Sequence, residues 1–240
     1  MRSKFRAGFH QIPHAAKVAK GGEDACFVDD ELLMVNDGVG GWNRQGVDPG
    51  LFARELCQNI RTVCKLRGSK SLKQNLTDAV SKTKNIGSCT SIFAMIDENK
   101  PYLVKACNMG DSGLLIVRVK DVGKLEVIYA SESQQHEFNF PYQVGTEGDS
   151  PEISQEMTIQ LQQDDIIVMG SDGLFDNMFQ SEILHILAKE VDTLSNLYYP
   201  YEAAKKLAQA AHEHSIDPFF RSPFSKEARL NGAIWAEGGK

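Results

Sequence analysis

Acidic residues recur at the ends of strand-like runs in this chain: Glu23-Asp24 opens one run, Asn36-Asp37-Gly38 closes its neighbour, and Ser171-Asp172-Gly173 closes the apolar stretch 166–169. If these ends converge on one sheet edge, Asp24, Asp37 and Asp172 lie within several ångströms of one another. At about 5 Å and an effective dielectric of about 20, each carboxylate pair repels by about 3 kcal/mol, so the cluster requires protons or cations. An all-oxygen donor set without paired histidine or thiolate favours hard cations, Mg²⁺ or Mn²⁺, over zinc. Asp-Gly is also among the commonest turn dipeptides, so Asp37-Gly38 and Asp172-Gly173 taken singly read as hairpin turns rather than metal ligands. The glycine run Gly38-Val39-Gly40-Gly41 and a third acidic turn, Met109-Gly110-Asp111-Ser112-Gly113, favour close backbone approach to a ligand.

Those acids need a scaffold, and the hydrophobic period supplies one. Runs at 25–29 and 32–36, joined by Asp29-Asp30-Glu31, read as a hairpin. Asp48-Pro49 offers an N-cap and a first-turn proline to a helix in which Phe52, Leu56, Ile60, Val63 and Cys64 recur at three- and four-residue spacing. Ser71 and Gln74 predict a capping box for a second helix with Leu72, Leu76, Ala79 and Val80 on its apolar face. Strands at 89–96, 102–108, 114–119 and 125–130 read as an antiparallel meander, followed by a polar and aromatic loop at 131–151. Alternation at Met157, Ile159 and Leu161, a strand at 166–169, and helices at 181–191 and 201–214 follow; 215–240 shows no clear period. The expectation is a single α+β domain over 1–240, a central antiparallel β-sandwich flanked by helix pairs in four αββα layers.

A formal net charge of −6 argues against a nucleic-acid or anionic-membrane binder, and 42% apolar with 24% charged residues is the composition of a globular protein. No apolar run approaches a membrane span. Five cysteines without a CxxC spacing, each in an apolar stretch, read as buried free thiols of a reducing compartment. The first 22 residues are basic with no acid before Glu23, as in a mitochondrial transit peptide, although the segment is short and poor in serine.

The segments GEDACF (22–27), NDGVGGW (36–42), GSCTSIFAMID (87–97), CNMGDSG (107–113) and MGSDGLFDN (169–177) stand in an order that resembles the metal-dependent type 2C serine/threonine protein phosphatases. SESQQHEFNFPYQVG (131–145) and the C-terminal DPFFRSPFSKEA…GGK resemble the branch with mitochondrial and plant organellar members. The resemblance implies two Mg²⁺ or Mn²⁺ ions and a weaker third, in-line attack on phosphorus by a metal-activated water, and no phosphoenzyme. By the same resemblance Asp37 bridges both metals, the Gly38 carbonyl binds one, and Asp172 binds the other. Glu23 and Asp24 hold metal-bound waters, and Asp111 with Asp176 forms the third site.

Three departures accompany the resemblance. Val39 stands where many members carry a histidine that protonates the leaving group. The family's phosphate-binding arginine has no clear counterpart, leaving Lys17 or Lys20 as substitutes that offer a point charge rather than a fork. In this branch GGK is normally followed by an Asp-Asp pair and a β-branched run, so the chain is expected to be truncated and to lack its C-terminal strand and one ligand. A protease, a phosphate-loop nucleotidase and a Rossmann enzyme all lack their anchoring motifs. The His10/His14 and His212/His214 pairs, without neighbouring cysteines, read as exposed polar residues rather than ligands; His136 reads as a loop residue that orients substrate or satisfies backbone groups, and Trp42 as a cleft wall or core aromatic. The expected function is hydrolysis of phosphoserine and phosphothreonine in proteins by a monomer in mitochondrion, plastid or cytosol, not secreted. The alternative is a weak or inactive relative that binds phosphoproteins.

Overall fold

A computed structural model describes residues 3–121, 124–191, 199–233 and 237–240. The expected hairpin forms from β1 (Asp24–Val28) and β2 (Leu32–Gly38), with Asp24 opposite Asp37 in the ladder. Helix α1 (Pro49–Arg67) starts as its sequence dictates: the Asp48 side chain accepts from the Gly50 N–H at 3.0 Å, and Pro49 occupies the first turn. In α2 (Leu72–Lys82), Ser71 accepts from the Gln74 N–H, but the Gln74 side chain turns forward to Asp78, so only half of the capping box is made.

The next strands are β3 (Ser88–Ile96), β4 (Leu103–Met109), β5 (Gly113–Asp121) and β6 (Lys124–Ala130). They do not form the expected continuous meander. β3 and β4 pair in one sheet, β5 and β6 in another, and the chain crosses between sheets at residues 110–112. Gly110, at φ 111°, permits that corner, and a side chain there would strike the Tyr142 carbonyl and Thr90. The loop 131–151 also carries structure: β7 (Gln135–Glu137) pairs with β8 (Phe140–Pro141), and β9 (Val144–Gly145) pairs with the start of β3. β10 (Gln155–Gln160) joins the first sheet, whose order is β1-β2-β3-β4-β10, and β11 (Ile166–Gly170) joins the second, ordered β11-β5-β6. After the single turn α3 (Asp172–Phe175) come α4 (Gln180–Glu190), α5 (Pro200–Ile216) and α6 (Pro223–Leu230), the last in a stretch whose sequence shows no period.

The four αββα layers follow from which face each strand buries. Leu114 and Ile116 of β5 pack with Ile92, Val104 and Ala106 between the sheets, whereas Leu115 and Val117 point the other way to Ile183, Leu187 and Leu207 of α4 and α5. Every residue of β3 is buried, because α1 and α2 cover its outer face through Phe52, Leu56, Ile60 and Leu76. Each such side chain contributes about 1.5–3 kcal/mol on burial. All five cysteines are free; burial pushes the Cys26, Cys64 and Cys107 thiols up to about 12.

Candidate metal centre

The carboxylates meet because one row of residues crosses the first sheet and the second sheet ends beside it. Asp24 faces Asp37 across β1 and β2, and Asp37 faces Thr90 across β2 and β3. Thr90 in turn shares a hydrogen bond of 2.7 Å with Ser112, in the crossing turn that holds Asp111. Because β5 runs antiparallel to β11, Gly113 lies opposite Gly170, which delivers Asp172 to the same end as Asp111. Asp176 follows one turn after Asp172, and its N–H donates to the Asp172 carbonyl at 2.7 Å.

Neither Asp-Gly pair is a hairpin turn. Asp37 and Gly38 are the last residues of β2; a side chain at Gly38 would meet the Glu23 carbonyl at 2.7 Å and the Pro49 backbone at 3.0 Å. Asp172 and Gly173 instead begin α3.

Electrostatics differ across the cluster. The Asp37 carboxyl is driven well above the ordinary carboxylate range by burial, then by the charges of Asp172 and Asp24, both within hydrogen-bonding reach. Asp24 is raised by burial, partly offset by its hydrogen bond to Asp37. Asp111 is pushed up to about 7 by burial and by Asp172, and its Oδ1 has no hydrogen-bond partner. Burial also raises Asp176. Asp172 is the exception: burial acts upward, but the Lys240 ammonium, 2.5 Å from Asp172 Oδ2 and 3.0 Å from Asp176 Oδ2, holds it below the usual value.

These residues suit hard divalent cations in donor type. Asp37 crowds two further carboxylates, an Asp111 oxygen is unpartnered, and a lysine ammonium already sits between Asp172 and Asp176. Among the described residues no three acidic, thiol or imidazole groups are arranged around a common point as the ligands of an ion.

Glu23 is buried and ion-paired to Lys17, and it accepts from Asn43 Nδ2 at 2.6 Å. Lys17 lines a cleft of about 1120 Å³ together with Asp24, Asp37 and Asp172. Lys20, the other candidate, is exposed and lies outside that cleft, because Gly21 and Gly22, both at positive φ, fold the chain back so that Glu23 lies by Lys17. Val39 carries no proton to donate; its N–H donates to the Ser88 carbonyl at 3.0 Å. Trp42 does not line the cleft; its indole N–H donates to Ser88 Oγ at 2.7 Å.

His10, His14 and His214 are engaged one by one in local contacts. His14 caps a 3-10 turn and His10 packs edge-on against Tyr201. His212 and His214 are half-buried rather than exposed, since His214 stacks on Phe220 at 3.8 Å and its Nδ1 hydrogen-bonds the Asn177 carbonyl at 2.8 Å. Lys240 is the residue at the centre that sequence reasoning missed; nothing in a terminal Gly-Gly-Lys marks it as a counter-ion.

Residues 29–219 match the family model described as stage II sporulation protein E. The chain is 39% identical over 231 residues to "Probable protein phosphatase 2C 26" of Arabidopsis thaliana, covering 94% of this chain and 73% of the relative. The chain belongs to the type 2C protein phosphatase family. It is also 33% identical over 240 residues to "Protein phosphatase PTC7 homolog fig" of Drosophila virilis, covering 91% of this chain and 74% of that protein. The chain spans 66% of "Probable protein phosphatase 2C 1" and 40% of "Probable protein phosphatase 2C BIPP2C1", both of rice, Oryza sativa subsp. japonica. Its fold superposes on the X-ray structure of the photosystem II phosphatase PBCP with a TM-score of 0.86 at 36% identity, covering 97% of this chain and 93% of that one. The catalytic domain of the serine/threonine phosphatase PstP, solved with two manganese ions, shares the fold alone at 14% identity and a TM-score of 0.58. Type 2C phosphatases are metal-dependent serine/threonine phosphatases, and the αββα layers are their fold.

Proposed function

We propose that this chain removes phosphate from phosphoserine and phosphothreonine in proteins, with Asp37 and Asp172 as the principal ligands of two Mg²⁺ or Mn²⁺ ions. The observation that carries this reading is the Asp37 carboxyl, buried against the carboxylates of Asp24 and Asp172. Asp24 and Glu23 then orient water, and Asp111 with Asp176 offers a weaker third position. Bound cations would supply the charge that activates water and neutralises the phosphoryl oxygens.

The chain's own residues do the rest. Gly40 keeps the cleft beside Glu23 and Lys17 free of a side chain, so that a phosphoryl group can approach the backbone there. Lys17 reaches the same place, its Nζ lying 3.6 Å from where a side chain on Gly40 would begin, and it offers the substrate phosphate a point charge while Glu23 holds it in place. With valine at position 39, the proton for the leaving oxygen falls to water or to another group.

The test is hydrolysis of a phosphothreonine peptide with Mn²⁺, with EDTA and in Asp37→Asn, alongside Mn²⁺ calorimetry. A folded chain that takes up no Mn²⁺ and turns over nothing would replace this reading with phosphoprotein binding. The five free thiols and the likeness to a photosystem II phosphatase support work inside the cell, in plastid, mitochondrion or cytosol, rather than in secretion. Import of the labelled chain by isolated organelles distinguishes among these.

A further inference from the structure

Lys240 meets Asp172 and Asp176 with its main chain already seated. The buried Asn177 side chain pairs with both backbone groups of Lys240: the Lys240 N–H donates to Asn177 Oδ1 at 2.8 Å, and Asn177 Nδ2 donates to the Lys240 carbonyl at 3.3 Å. The same Nδ2 donates to the Gly173 carbonyl at 3.0 Å, so one amide ties Lys240 to the α3 turn between the two acids.

The two residues before Lys240 are anchored as well. The Gly238 N–H donates to the Phe220 carbonyl at 2.8 Å, and the buried Ser222 hydroxyl donates to the Gly238 carbonyl at 2.7 Å. A side chain at Gly239 would begin 2.3 Å from Asn177 Oδ1 and 2.4 Å from Ser215 Cα, so only glycine allows this approach. Asn177 is held in turn, its carbonyl hydrogen-bonded to His214 Nδ1, whose ring stacks on Phe220. A lysine that met the acids by charge alone would lose side-chain freedom for little gain. Here the seated backbone concentrates the ammonium at the two carboxylates, as a tether does for any attached group.

We propose that Asn177 is a positioning residue that holds Lys240 as a built-in competitor for a divalent cation at Asp172 and Asp176. An entering ion has to displace the ammonium by rotation of the lysine side chain, and the grip of Asn177 sets how strongly the ammonium resists. The inference rests on the phosphatase reading, because it takes Asp172 as a metal ligand.

Mn²⁺ calorimetry on the full chain tests it, with circular dichroism to check the fold of each variant. Lys240→Met should raise Mn²⁺ affinity by about three- to tenfold, the equivalent of one charged hydrogen bond. Asn177→Ala should raise it by at least about threefold, although both acids and the lysine remain. Added to Lys240→Met, the same change should contribute less than about twofold, since there is then no ammonium to hold. Gly239→Ala crowds Asn177 Oδ1 without altering a carboxylate; it should mimic Asn177→Ala, and it decides the matter if that variant does not fold. An asparagine that serves only the fold predicts unchanged or weaker Mn²⁺ binding in Asn177→Ala. That result, full additivity of the two substitutions, or unchanged affinity in Lys240→Met would overturn the inference while leaving the phosphatase reading intact. No Mn²⁺ uptake by the parent chain or by Lys240→Met would instead remove the phosphatase reading itself.

Discussion

The two sides of the carboxylate cluster are made of the same residue type and are held in opposite ways. On the first sheet, Asp24 and Asp37 are paired by the β1–β2 ladder itself, so their side chains share a face and start from adjacent backbone positions. On the second sheet, Asp172 and Asp176 stand on a single helical turn after β11, with the Lys240 ammonium between them. Burial and repulsion drive the Asp37 carboxyl up, while Lys240 holds Asp172 down. On the ladder the Lys17 charge only partly offsets the burial of Asp24 and Asp37 makes no ion pair among the described residues, whereas on the helical turn the Lys240 ammonium pairs with both Asp172 and Asp176.

Replacing Asp37 by asparagine strikes the uncompensated side and should have the largest effect. Metal-dependent turnover should fall by about 100-fold or more, and calorimetric Mn²⁺ uptake should weaken. The metal-free melting temperature should stay level or rise, because a buried repulsion is removed; a marked fall would show that Asp37 stabilises the fold. Thr90→Val cuts the hydrogen bond that ties the two sheets at the cluster and leaves Ser112, which is buried, without its partner. Urea denaturation should register a loss of about 1–3 kcal/mol.

On the compensated side, Lys240→Met should behave in the reverse sense from Asp37→Asn. Removing the ammonium leaves Asp172 and Asp176 unbalanced, so the metal-free protein should lose about 1–2 kcal/mol of stability and bind Mn²⁺ more tightly. Thermal melts with and without Mn²⁺ would show both, and unchanged melts would mean that Lys240 is not a counter-ion in solution. Lys17→Gln is expected to be the mildest: KM for a phosphopeptide should rise about fivefold with kcat nearly kept, consistent with the loss of one charged contact to phosphate.

How much of this was legible in the chain depended on whether the signal was local. The strands and the four long helices were, since their apolar periods are intrinsic and their cores lie on one face. Helix α6 was not, because it buries only Ser225 and Ala228; its one usable signal was Ser222-Pro223, whose serine caps the helix by accepting from the Ser225 N–H at 3.0 Å. The segment at 131–151 read as a loop because its strands are three and two residues long and take their order from Gly110, Asp149 and Phe224.

The types and positions of the acids, at the ends of strands and beside glycines, were determined by sequence alone, and with them the all-oxygen character of the donor set. That Asp24, Asp37, Asp111, Asp172 and Asp176 share one end of the sandwich was decided by tertiary structure. Strand register across β1, β2 and β3, the crossing of sheets at Gly110 and the antiparallel pairing of β5 with β11 bring distant segments together. The same packing sets how far each carboxyl departs from its ordinary acidity, because burial and the nearest charge are properties of the assembled fold.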